Sequence, residues 1–218
     1  MTLPIHPISL GVSVAFLIEG EAGLVLVDGG LQGTEDRIWE KVESLGYHRE
    51  DLGLVVLTHA HPDHYRSLPA LLRSSEALLM AHPSAAKRLR EKDHSLPPGK
   101  GLNGALLAGI FRLLVSGLTF PDLNVDVLLE DGADLSDYGL PATVIYTPGH
   151  TAGSISLLLE GGIAFVGDLL VARNGRAIPQ PTLIEDEKAL QRSLARLKAW
   201  QPELVYVGHS EQALKPAW

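Results

Sequence analysis

Residues 58 to 64 read Thr58-His59-Ala60-His61-Pro62-Asp63-His64, directly after the apolar run Leu54-Val55-Val56-Leu57. Three His and one Asp fall within six positions, out of nine His in the whole chain. Imidazole nitrogens and carboxylate oxygens suit zinc, iron and manganese, and a turn after a strand can bend several of them toward one point. The stretch therefore predicts a metal site whose remaining donors lie elsewhere in the chain.

Three later places repeat the same local form. Thr143-Val144-Ile145-Tyr146 runs into Thr147-Pro148-Gly149-His150, Ile163-Ala164-Phe165-Val166 into Gly167-Asp168, and Leu204-Val205-Tyr206-Val207 into Gly208-His209. Each reads as a buried strand that ends in Gly and then a donor residue, because Gly lets the backbone turn and approach a site closely. Leu24-Val25-Leu26-Val27 followed by Asp28-Gly29-Gly30 follows a related plan.

With these residues the chain resembles the metallo-β-lactamase superfamily. The matching segments are Thr58 to His64, Thr147 to Ser154 (Thr-Pro-Gly-His-Thr-Ala-Gly-Ser), Gly167-Asp168 and Gly208-His209, in the family's order and within about Val12 to His209. The resemblance implies an α/β fold, the four-layer αβ/βα sandwich, with a metal site at one edge. It also implies that His59, His61 and His150 hold one metal, that Asp63, His64 and His209 hold a second, and that Asp168 bridges the two. Asp28 matches an acidic residue expected to orient the ligands from behind. Many hydrolases of the family continue the first motif with Gly, whereas this chain has Tyr65-Arg66-Ser67. Tyr65 and Arg66 are thus expected to shape the pocket floor and touch substrate.

The donor set suggests two divalent ions, zinc first with iron or manganese as alternatives. Two such ions about 3.5–4 Å apart can share a water and lower its pKa toward neutrality, so the absence of Cys costs the mechanism nothing. Asp63, beside the resulting bridging hydroxide, is the expected catalytic residue that orients it and takes up its proton. The function read from this pattern is a dinuclear metal-dependent hydrolase of a small ester, thioester or lactone, similar to glyoxalase II-like thioesterases and lactonases. Two alternatives share the motif. One is a persulfide dioxygenase-like oxidoreductase with a single iron on His59, His150 and Asp168; the other is a phosphodiesterase or RNA-processing nuclease. The complete second donor set favours the hydrolase over the first, and a formal charge of −8 argues against a polyanionic partner such as RNA.

A chain of 218 residues, 45% hydrophobic, can bury a full core, and residues 1–218 read as one domain. Ile8 to Ile18 reads as a first strand, since no positive segment precedes it and no small-residue cleavage site follows. Ala105 to Phe120 is too short to span a membrane comfortably and carries Arg112. A cytoplasmic protein with a small-molecule substrate and no membrane partner is the expectation. Thr34, Ile38, Val42, Leu45 and Gly46 mark one amphipathic helix, and Leu190, Leu194 and Leu197 before Pro202 mark another, with Trp39 and Trp200 expected on their packing faces. The basic stretch Lys87 to Lys92 reads as a solvated helix face.

The segment from about 94 to 124 separates the two halves of the donor set and reads as a mainly helical apolar insertion. A helix packed on the sandwich, a lid over an apolar substrate and a homodimer contact are its three readings. As a lid it would bring Lys100, Phe111 and Arg112 to the substrate.

Overall fold

The structure, a computed structural model, describes residues 3–93, 95, 99, 101–115, 120, 122–180 and 182–218. The side chains of residues 103, 107, 111, 112, 114 and 115 lie outside that description.

The chain opens with β1 (Ile5–Ser9), β2 (Val14–Gly20) and β3 (Gly23–Val27), followed by α1 (Glu35–Ser44) and β4 (Leu52–Leu57). The single first strand expected from Ile8 to Ile18 is two antiparallel strands, because Gly11 turns the chain at φ 91°. Next come α2 (Pro62–Tyr65), α3 (Leu68–Arg73), β5 (Leu78–Ala81), α4 (Pro83–Arg90), α5 (Gly101–Val115) and β6 (Val127–Leu128). The second half contains β7 (Ala142–Tyr146), β8 (Ile155–Leu159), β9 (Ile163–Phe165), β10 (Leu170–Arg173), β11 (Arg176–Pro179), α6 (Glu187–Trp200), β12 (Leu204–Tyr206) and β13 (Lys215–Pro216).

Strands β1 to β6 form one sheet in sequence order, antiparallel from β1 to β3 and parallel from β3 onward. A second sheet has the order β12-β9-β8-β7, and β10, β11 and β13 make a small third one. The inner faces of the two main sheets meet in a core that includes Phe16, Ile18, Val25, Val27, Val56, Val144, Leu157 and Phe165. Leu26, Val55, Leu57 and Leu79 point the other way, onto Ile38, Trp39, Val42, Leu68 and Leu71 of α1 and α3. On the far side, Leu158 and Ala164 pack under Leu190, Leu194 and Leu197 of α6. The layers are therefore helix, sheet, sheet, helix. Leu54 to Leu57 are all buried because β4 is covered on both faces, which is why this strand reads as a continuous apolar run. A bulge at Gly53 of β4 sets its register against β3.

The two expected helices form, but Trp200 is 36% exposed at the end of α6, where Gln201 turns into the left-handed region. It does not join the packing face. Thr34 sits at the N-cap of α1, yet its hydroxyl donates back to the Leu31 carbonyl at 2.7 Å. In the basic stretch at α4, Lys87, Arg90 and Lys92 are exposed as expected, and Arg88 is the exception. Arg88 is held by Glu185 and by the carbonyls of Asp93 and Ser95, so it ties α4 to the start of the insertion and to the chain before α6.

Candidate metal centre

All seven donor residues lie just beyond C-terminal strand ends, Asp63 and His64 of them in the short helix α2. Apolar side chains such as Val56 of β4, Val144 of β7, Phe165 of β9 and Val205 of β12 bury these strands, and the chain emerges from each at the same edge. Close contacts demand glycine at these exits. A Cβ on Gly149, which has φ 139°, would lie 2.4 Å from Cα of Leu190, and one on Gly208 would lie 2.3 Å from Oδ1 of Asp168. The Gly149 carbonyl in turn accepts from the amides of Glu185 and Asp186, which seats the His150 turn on the start of α6.

Two clusters result. His59, His61, His150 and Asp168 each offer an atom within 4.8 Å of the others, and so do Asp63, His64 and His209. Nε2 of His150 and of His59 lie 2.9 and 3.2 Å from Nδ1 of His61. Asp168 stands between the groups. Its Oδ2 is 3.5 Å from Nε2 of His150 and 3.1 Å from Nε2 of His209, and its Oδ1 is 3.7 Å from Nε2 of His64. Oδ2 of Asp63 is 3.7 Å from Nε2 of both His64 and His209.

The outer hydrogen bonds assign the ring tautomers. His150 Nδ1 donates to the Leu183 carbonyl and His209 Nδ1 to the Val12 carbonyl, both at 2.7 Å, and His64 Nδ1 donates to Asp28 at 2.9 Å. Thr58 gives its own hydroxyl proton to Asp28, so its oxygen accepts from Nδ1 of His59 at 3.1 Å. In each neutral ring the Nε2 lone pair is then left pointing inward. His64 Nε2 and Asp168 Oδ1 are buried without a hydrogen-bond partner among the described residues. Converging lone pairs at such distances repel one another and suit a cation, so the donor set fits divalent metal ions.

The electrostatics agree. Burial, reinforced by neighbouring imidazoles, pushes His59 and His61 well below the usual histidine range, and burial lowers His150 as well. Burial also acts to lower His64, but the carboxylates of Asp28, Asp63 and Asp168 outweigh it and bring the ring to about 9. Asp168 pushes His209 up to about 10. Burial works to raise Asp168, yet His209 and His64 hold its carboxylate well below the ordinary range. The second group thus sits in a field that favours positive charge. Six of the seven donor residues are buried, and His209, with its side chain 33% exposed, forms the open side.

Asp28 lies behind the cluster, as expected, in the left-handed region at φ 61°. It accepts from the amide and hydroxyl of Thr58 and from His64. Tyr65 does not line the pocket; it is 1% exposed and packs in the core beneath the outer helices. Arg66 is also buried, donating to Gln32 at 2.8 Å and lying over the ring of Phe120. Lys100 and the side chains of Phe111 and Arg112 lie outside the described residues. Thr58, Ser13 and the carbonyls of Val12 and Leu183 support the site without having been singled out for it. Ser13 donates to the carbonyl of Asp63 at 2.5 Å. Thr58 was legible as the residue that opens the motif, whereas the two carbonyls leave no mark in a sequence.

A four-layer sandwich with seven metal-type donors converging at its strand ends is the architecture of a metal-dependent hydrolase. The chain belongs to the metallo-beta-lactamase superfamily, whose family model matches residues 8–209. The metallo-beta-lactamase fold-containing protein ST1585 of Sulfurisphaera tokodaii is 27% identical over 214 residues, covering 95% of this chain and 77% of that protein. An N-acyl homoserine lactonase of a Bacillus species is 25% identical over 226 residues, covering 89% of this chain and 79% of its own. Among solved structures, TTHA1623 in a di-iron-bound form is 28% identical with a TM-score of 0.68, covering 96% of this chain and 93% of that one.

Proposed function

We propose that this chain is a dinuclear metal hydrolase of a small ester, thioester or lactone. The observation that carries this reading is the position of Asp168, with one carboxylate oxygen near His150 and His209 and the other near His64. A single carboxylate shared by two complete donor groups suits two ions better than one. His59, His61 and His150 would hold the first, Asp63, His64 and His209 the second, with Asp168 common to both. When bound, such ions supply Lewis acidity for a carbonyl oxygen and acidify water at neutral pH.

The chain's own groups do the rest. Asp63, buried at the edge of the second group, is placed to hold and accept the proton of an attacking water. Asp28, Val12 and Leu183 fix three imidazoles so that their inner nitrogens need not reorient. Burial on all sides but that of His209 limits water to the mouth of the site. The lactonase relative supports the ester and lactone class, and the di-iron form of TTHA1623 supports two ions and keeps iron beside zinc and manganese.

The test is elemental analysis of protein purified without chelator, then turnover of thioester, lactone and phosphodiester panels and oxygen uptake with glutathione persulfide. Two equivalents of metal and turnover of esters, thioesters or lactones are expected, with activity lost on chelation. One equivalent of iron with oxygen uptake, or turnover of the phosphodiesters alone, would overturn the reading.

A further inference from the structure

Arg88 and Glu185 join two parts of the chain 97 positions apart, and neither is a donor of the metal centre. Their side chains are 11% and 26% exposed, and Nη1 of Arg88 donates to Oε1 of Glu185 at 2.5 Å. The other oxygen of Glu185 accepts from the amide of Ala152 at 2.7 Å. The amide of Glu185 in turn donates to the Gly149 carbonyl at 2.8 Å. Two residues earlier, the Leu183 carbonyl receives Nδ1 of His150. His150 thus sits in a turn whose two flanks and whose ring are all bonded to residues 183–185.

Helix α4 also bears on that turn. A Cβ on Gly153 would lie 2.5 Å from the amide nitrogen of Ala85, so the start of the helix and the turn touch with no room between them. Arg88 stands three residues beyond Ala85, on the same face of the helix. Its Nε donates to the Asp93 carbonyl at 2.9 Å and its Nη2 to the Ser95 carbonyl, while Nη1 reaches Glu185. Those two carbonyls fix the guanidinium at the end of α4, and the ion pair carries that hold across to the His150 turn. A planar fork that meets three partners in fixed directions is a property of arginine that lysine lacks.

We propose that Arg88 is a positioning residue for the first donor group, acting through Glu185 to hold the His150 turn at the spacing a metal ion needs. The inference rests on the two-ion reading above. Position and charge make opposite demands, which separates this role from an electrostatic one. The guanidinium is close enough to His61 for its charge to act on that ring, and a positive charge beside a cation site disfavours the ion. By charge alone, removing it would tighten metal binding. Loss of the clamp would weaken binding, because a freed His150 would have to be ordered again when the ion arrives. Asp28 and the Val12 carbonyl orient His64 and His209 of the second group, so the clamp should act on one ion only.

Zinc affinity is measured on the full chain by competition with a chelator. Arg88→Met should weaken one of the two equivalents by about tenfold and leave the other unchanged. Arg88→Lys, which keeps the charge without the fork, should restore part of that loss. Lys87→Met, which removes an exposed charge from the same helix, should match the wild type. In a His150→Ala chain, which has already lost the ring, Arg88→Met should cost nothing further. Unchanged or tighter zinc binding by Arg88→Met overturns the proposal. So does an equal loss of both equivalents with a lowered melting temperature, which would make the ion pair a support of the fold alone. Glu185→Gln breaks the pair from its other end and keeps an acceptor for Ala152, so wild-type affinity in that variant overturns the proposal even if Arg88→Met does not fold. A wild type that binds fewer than two equivalents overturns the two-ion reading and the inference with it, and is told apart because it shows before any substitution.

Discussion

Asp28 and His64, 36 positions apart, are joined by a 2.9 Å hydrogen bond from the ring Nδ1 to the carboxylate, and this bond turns Nε2 of His64 into the metal centre. The same carboxylate takes two further bonds from Thr58, which in turn receives His59. One side chain thus orients a donor in each of the two groups. Replacing Asp28 with Ala would leave three buried donors unpaired. Unfolding stability should fall by about 3 kcal/mol or more, and metal affinity by about 10- to 100-fold. Urea unfolding and titration against a competing chelator measure both, and wild-type values would show that Asp28 orients nothing.

Asp63→Asn should keep the fold, since the side chain is buried at the rim of the donor cluster and not in the apolar core. A neutral amide accepts no proton and holds a cation more weakly. At saturating metal, kcat should fall by about 100-fold or more while the melting temperature changes little. Turnover near that of the wild type would remove Asp63 from any proton-transfer role.

Gly149→Ala tests how the His150 turn is seated. The new methyl would press on the backbone of Leu190 from a residue already at φ 139°, so either α6 or the turn must move. A loss of about 3 kcal/mol or more is expected, together with weaker metal binding. Gly33→Ala is the control, because its φ is 85° but nothing lies within 4 Å of the added atom. That variant should lose only about 1 kcal/mol and keep its metal. Equal effects in the two variants would mean that the close approach to α6 is unimportant.

His82 should contribute a pH dependence separate from that of the metal centre. Its ring stacks on Tyr146 with centroids 4.2 Å apart, and its Nδ1 accepts from the amide of Ser84 at the start of α4. Burial lowers its pKa from the ordinary 6.5, with Glu130 and Asp131 opposing. A histidine depressed in the folded state adds stability that is complete above its unfolded pKa and is lost as the pH falls toward its folded one. Between about pH 7.5 and 5.5, His82→Asn, which keeps a cap acceptor without the titration, should therefore lose less stability than the wild type. Parallel curves from urea unfolding at stepped pH would show that His82 does not titrate differently on folding.

Much of the molecule is legible in its sequence. The unbroken apolar run Leu54 to Leu57 marked a strand covered on both faces, and the Gly-donor endings at His150, Asp168 and His209 marked three more strand exits. Such features are local: strand burial and turn chemistry act within a few residues. Tyr65 was misread because it follows His64 directly in sequence. Successive residues of a helical turn point about 100° apart, so in α2 the ring of His64 joins the cluster while that of Tyr65 enters the core. Arg88 was misread for a related reason, since its partners Ser95 and Glu185 come to it only when the insertion and the start of α6 are in place.

The sequence by itself determined which donors exist and the order in which the chain presents them, because each is a side chain with its own chemistry. Only the tertiary structure decided which atom of each donor turns inward. His150 is oriented by a carbonyl 33 positions away and His209 by one 197 positions away. Every residue carries a carbonyl, so nothing in the letters Val12 or Leu183 distinguishes them. Their role arises from packing alone, when the folded sheets bring those two backbone oxygens within 2.7 Å of an imidazole nitrogen.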